Sequence, residues 1–165
     1  MFTISPRLFF SSDKYSDVIS LVTSYTDMQN KQVNGINNDI KNTYATLNNT
    51  FMLYEGGWNI NAGANYNSAV TSLNTLKSFG VIAGVSKTLF SNSFTLTNNN
   101  TLLFNQLNGS NNGTTVSLEL NAAYNFLKRN TINLAFNYLY SPANGIYNMT
   151  DFSQSRFIAT YQYNF

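Results

Sequence analysis

The sequence predicts an all-β fold: an antiparallel up-and-down transmembrane β-barrel with about 8–10 strands in this chain. Three observations predict it. Side-chain character alternates with period 2 along most of the chain, and helical period is nearly absent. Charged residues are 10% of the 165 and aromatics 15%, with Asn, Ser and Thr supplying the polarity; a soluble domain carries roughly 25% charge. Longer and shorter links alternate between strands, as expected when one end of an up-and-down barrel is kept compact.

Taken in order, residues 2–10 alternate as Phe2, Ile4, Pro6, Leu8 and Phe10. Pro6 has no N–H for a ladder, which suits an edge or a bulge. Residues 17–27 and 40–53 read as strands of weaker contrast. Residues 58–66 set Trp58, Ile60, Ala62, Ala64 and Tyr66 against Asn59, Asn61, Gly63 and Asn65. Phe79, Val81, Ala83 and Val85 follow. Residues 93–106 place Phe94, Leu96, Leu102 and Phe104 on one face, which Asn98 and Asn100 interrupt; a bulge in this stretch is one account. Val116 to Phe126, Ile132 to Tyr140 and Phe157 to Phe165 then alternate clearly, making about nine strands. Links at 54–57, 91–92 and 128–130 read as short. Those at 28–39, 67–75, 107–114 and 141–153 read as long.

Alternation alone also fits a soluble sheet with one buried face. Strands of about 10–13 residues favour tilted membrane strands over the ~5–6 of soluble sheets. Scarce charge leaves little to blunt soluble edges. Aromatics gather near strand ends, with Tyr54 and Trp58 at a short turn and Tyr66, Tyr138 and Tyr140 near long links. Amphipathic rings prefer the membrane interface, although each ring singly is also explained by core packing. On this reading Arg7, Asn59, Asn61, Glu119, Asn121, Asn133, Asn137 and Arg156 face the lumen. Lys87 falls on the lipid face near a short turn, where its ammonium reaches the headgroups.

The final strand, Phe157-Ile158-Ala159-Thr160-Tyr161-Gln162-Tyr163-Asn164-Phe165, resembles the C-terminal signal of bacterial outer-membrane proteins. The stretch from Ser86-Lys87-Thr88-Leu89-Phe90 onward, with Asn133-Leu134-Ala135-Phe136-Asn137-Tyr138, resembles the C-terminal barrel region of Bacteroidota outer-membrane proteins. That resemblance covers roughly the last half of the chain. It implies contact of Phe157, Tyr161, Tyr163 and Phe165 with the barrel-assembly machinery, and an outer membrane with its lipid and lipopolysaccharide as surroundings. Single-chain barrels of this kind have an even strand number. A count of nine therefore implies either a strand outside the barrel or the C-terminal piece of a larger barrel. The absence of a signal peptide at residues 1–6 favours the second, with other subunits or upstream domains as partners.

Histidine and cysteine are both absent. The histidine-dependent mechanisms that resemblance to outer-membrane proteases, phospholipases and acyl-modifying barrels would imply therefore lack their base. Most of the seven carboxylates fall in links, where solvated charge is the ordinary case; Glu119 is in mid-strand, where pairing with an arginine is the simplest explanation. No metal or cofactor site is legible, and a net charge of +2 does not suggest a nucleic-acid partner. The expectation is one domain over residues 1–165, not an enzyme. It serves as a passive pore or transporter, as a non-conducting structural barrel that anchors a domain or complex, or as a soluble barrel that binds an apolar ligand.

Overall fold

The computed structural model describes residues 1–29, 39–127, 129–142 and 150–163. These form one antiparallel sheet: β1 (Phe2–Ile4), β2 (Arg7–Ser11), β3 (Tyr15–Met28), β4 (Ile40–Leu53), β5 (Trp58–Thr71), β6 (Thr75–Leu89), β7 (Phe94–Leu107), β8 (Ser110–Phe126), β9 (Asn130–Ser141) and β10 (Phe152–Tyr163). From β3 onward each strand pairs with its sequence neighbour, and β1 and β2 both pair with β3. The ten strands therefore fill nine positions. The sheet is not closed: among the described residues no pairing joins β10 to β1 or β2.

Pro6 explains why the first position is broken into two strands. The register runs on unchanged from Ile4 opposite Thr23 to Arg7 opposite Ser20. Leu21 N–H donates to the Pro6 carbonyl at 3.1 Å, but proline has no N–H to return. One ladder bond is lost and the strand is not displaced.

β3 to β8 are 14 to 17 residues long. That growth corrects two of the links expected to be long, 67–75 and 107–114. β5 and β6 are joined by residues 72–74 alone, and β7 and β8 by 108–109. Asn108 (φ 52°) and Gly109 (φ 81°) are both left-handed, the conformation of a two-residue hairpin turn matched to strand twist. Ladders thus continue where long links were expected. A bulge does fall within the 93–106 stretch, though not at the two asparagines. Asn98 and Asn100 sit in unbroken register, and the shift falls between Phe104 and Gln106 of β7. The extra residue lies on β8, next to Gly113 at φ 98°.

No apolar side chain among the described residues is buried; the buried ones are Ser16, Thr46 and Ser68. Leu47, Ile60, Phe79, Leu96, Leu120, Leu134 and Phe157 are all exposed. Strand alternation puts these seven on one face of the sheet. This is the inverse of a soluble domain, where apolar groups are the buried ones.

Candidate functional site

The register brings the polar residues of separate strands into rows. One row crosses seven strands: Thr50, Asn61, Gly84, Asn99, Glu119, Asn137 and Arg156. The next joins Asn59, Ser86, Thr97 and Asn121. Glu119 and Arg156 thus lie two strands apart on one face, each directly opposite Asn137. Asn133, opposite Thr160, lies on the same face. Arg7 also lies on it, at the far edge of the sheet and in a different row.

The expected pairing of Glu119 with an arginine is not what the structure holds. Asn121 Nδ2 donates to Glu119 Oε1 at 2.8 Å. Neutral partners continue along the face: Thr97 Oγ1 donates to Ser86 Oγ at 3.1 Å, and Ser78 Oγ to Asn105 Oδ1 at 2.8 Å. The side chains of Thr50, Asn59, Asn61, Ser86, Thr97 and Asn99 line a recess. Another is lined by Ser117, Asn137, Tyr138, Leu139, Gln154 and Arg156. Such groups can bind water or neutral polar solutes. Among the described residues no cluster of three or more acidic side chains could hold a metal ion.

A feature missed in the sequence packs this face. Asn48 lies opposite Gly63, Asn65 opposite Gly80, and Gly84 is flanked by Asn61 and Asn99. A Cβ on Gly84 would clash with both Asn61 Oδ1 and Asn99 Oδ1. A Cβ on Gly63 would meet Asn48 Oδ1 at 2.5 Å and the Leu47 carbonyl at 2.7 Å. The asparagines therefore fold across glycine into space that any side chain would fill. The asparagines around Gly63 in β5 and the glycines of β6 are legible in the sequence; which Asn faces which Gly is not.

The opposite face carries the aromatics. Trp58 begins β5, Lys87 is its direct cross-strand partner, and the Lys87 ammonium lies 4.2 Å from the Trp58 ring centroid. Tyr54 is in the adjoining turn and exposed. At the same end lie Tyr15 with Phe51 (5.6 Å between centroids), Phe94 with Tyr124 (6.5 Å) and Tyr124 with Phe126 (5.7 Å). The sequence does not group these rings, because only the register aligns them. At the far end Tyr66, Phe79 and Phe104 form one row, with Tyr138 and Tyr140 on β9. Trp58 and Tyr66 are separated by roughly 26 Å of strand at about 3.3 Å per residue; a tilt of ~40° leaves about 20 Å of height, near the ~25 Å apolar band of membrane barrels.

Phe157, Tyr161 and Tyr163 lie on this same face of β10, and Tyr161 Oη donates to Asn130 Oδ1. Phe165 lies outside the described residues. Two polar pairs interrupt the apolar face, each internally bonded. Asn100 Nδ2 donates to Asn98 Oδ1 at 2.6 Å, and Asn98 Nδ2 to the Glu119 carbonyl at 3.3 Å. Asn49 Nδ2 donates to Asp17 Oδ1.

This is the sheet architecture of an outer-membrane β-barrel protein. Two solved structures share it: the in-vitro folded outer-membrane protein OmpT of Vibrio cholerae in its trimer form, and the outer-membrane expressed OmpT of the same organism. The first has a TM-score of 0.64 and 10% identity over 95% of this chain and 54% of its own. The second has a TM-score of 0.65 and 9% identity over 98% of this chain and 55% of its own. The chain thus spans about half the length of these structures. No protein-family model matches it, and no curated protein matches it in sequence.

The expectation that the chain is not an enzyme is corrected here. Its structural neighbours are OmpT proteins, and at 10% and 9% identity that likeness carries the fold and no statement about catalysis.

Proposed function

We propose that the chain forms part of an outer-membrane β-barrel whose polar face lines a passive, water-filled pore for small polar solutes. The carrying observation is the contrast between adjacent rows. Thr50, Asn61, Gly84, Asn99, Glu119, Asn137 and Arg156 lie back to back with Phe51, Ile60, Val85, Asn98, Leu120, Phe136 and Phe157. A lipid-facing surface must be largely apolar, whereas a lumen needs groups that replace water hydrogen bonds. The aromatic rows near both ends of the strands support interfacial placement. In this reading Phe157, Tyr161, Tyr163 and Phe165 are the segment met by the assembly machinery, and lipid and lipopolysaccharide surround the belt.

The test is conductance of the purified protein in planar bilayers. Stepwise, ohmic currents are expected. A heat-modifiable, membrane-inserted barrel without conductance would overturn the pore and favour a structural barrel. A chain that stays soluble without detergent would overturn the membrane reading itself.

A further inference from the structure

We infer that the polar face of this sheet carries a subsite for a small zwitterion, with Arg156 receiving the carboxylate and Glu119 the ammonium. This rests on the pore reading and deepens it by naming a class of solute.

Charge is sparse on this face. From β3 to β10, strand parity puts two charged side chains there among the described residues, Glu119 and Arg156. The other charged residues of these strands, Asp17, Asp27, Lys41, Lys77 and Lys87, fall on the opposite face. Glu119 and Arg156 share one row, and Asn137 is the residue between them. At about 4.8 Å per strand step, their Cα atoms lie about 10 Å apart. Neither charge is cancelled. Among the described residues the Arg156 side chain has no hydrogen-bond or ion-pair partner. Asn121 Nδ2 donates to Glu119 Oε1 at 2.8 Å, which steadies the carboxylate and leaves its charge in place.

Arg156 also borders a recess with Ser117, Asn137, Leu139 and Gln154. Ser117, Leu139 and Gln154 form the next row on the same face. The ground beside the two charges therefore offers amides, a hydroxyl and one aliphatic side chain. A guanidinium holds a carboxylate through two parallel N–H···O bonds. An ammonium brings three donors and no acceptor, and Glu119 and the Asn137 side-chain carbonyl can accept from it. A simple anion gains at Arg156 and is repelled by Glu119; a simple cation meets the reverse. A neutral polar solute makes no bond charged on both sides, and bonds to ionised groups are roughly twice as strong as neutral ones. Only a solute with both charges gains its own charge pairing at both residues.

The experiment follows the Arg156 Nε–H magnetic resonance signal, one of three from arginine, in the purified, isotope-labelled protein in detergent at low salt. The titrants are ω-amino acids from glycine to aminohexanoate, their neutral hydroxyamide isomers, and propionate. Saturable shifts are expected with the zwitterions, at least about threefold tighter than with propionate, the worth of one solvated ion pair. Glu119→Gln should erase that lead and leave propionate binding in place. A best fit at glycine assigns free α-amino acids and a best fit at a longer member assigns short peptides; both uphold the site. No shift, equal binding of zwitterion and propionate, or a lead unchanged in Glu119→Gln overturns it. The comparison of titrants on the native protein needs no variant. Conductance without a zwitterion lead would remove the subsite and leave the pore. Zwitterion binding without conductance would remove the pore and leave the subsite.

Discussion

The Lys87 ammonium sits 4.2 Å above the Trp58 ring, and the two residues are direct cross-strand partners beside a tight turn. In the proposed barrel the pair would join an interfacial ring to a charge that can reach headgroups. A cation over an indole contributes about 0.5–1 kcal/mol where water has access. Lys87→Met and Trp58→Leu should each lower unfolding stability, with a coupling of about 0.5–1 kcal/mol in a double-mutant cycle. Urea unfolding from lipid vesicles measures it, and strict additivity would mean that the pair contributes no coupling.

Gly63 and Gly84 should respond differently to substitution. The three atoms nearest a Cβ on Gly84 all belong to the Asn61 and Asn99 side chains, whereas a Cβ on Gly63 also meets the Leu47 carbonyl. Gly63→Ala should cost about 1–3 kcal/mol, the range for overpacking, and should not be rescued by Asn48→Ala. Gly84→Ala should be rescued by Asn61→Ala with Asn99→Ala. Urea midpoints of the four variants decide this; equal rescue at both sites would refute the backbone clash.

Asn98 and Asn100 should behave non-additively. Asn98→Leu alone strands the Asn100 amide on a lipid-facing surface and should cost about 1–3 kcal/mol. The double substitution to leucine removes both partners and should be neutral or stabilising. Reversed rankings in vesicle unfolding would place this face in water.

Glu119 and Arg156 should set ion preference in opposite senses. Glu119→Gln should shift the reversal potential under a salt gradient toward anions, and Arg156→Gln toward cations, because a lumen charge attracts its counter-ion. The effects should shrink at high salt as screening shortens. A shift of the same sign in both variants would remove these residues from the conduction path.

Deleting Phe165 should slow assembly into the outer membrane. The rate at which heat-modifiable protein appears after induction reports it. An unchanged rate would remove the terminal residue from the assembly signal.

The sequence by itself determined the class of fold and the two faces. A strand places alternate side chains on opposite faces whatever it pairs with, so the polarity of β5, β8, β9 and β10 was legible residue by residue. The lengths of two links, expected at 67–75 and 107–114, were not. A hydrophobic pattern ends where the apolar belt ends, whereas ladders continue beyond it through polar residues such as Asn67 to Thr71. Only the tertiary structure decided which residues share a row. Glu119, Asn137 and Arg156 are far apart in the chain, and cross-strand register alone brings them together. The same holds for the asparagines folded over Gly63, Gly80 and Gly84. Alternation is a local property of one strand, while register and closure are properties of the whole sheet.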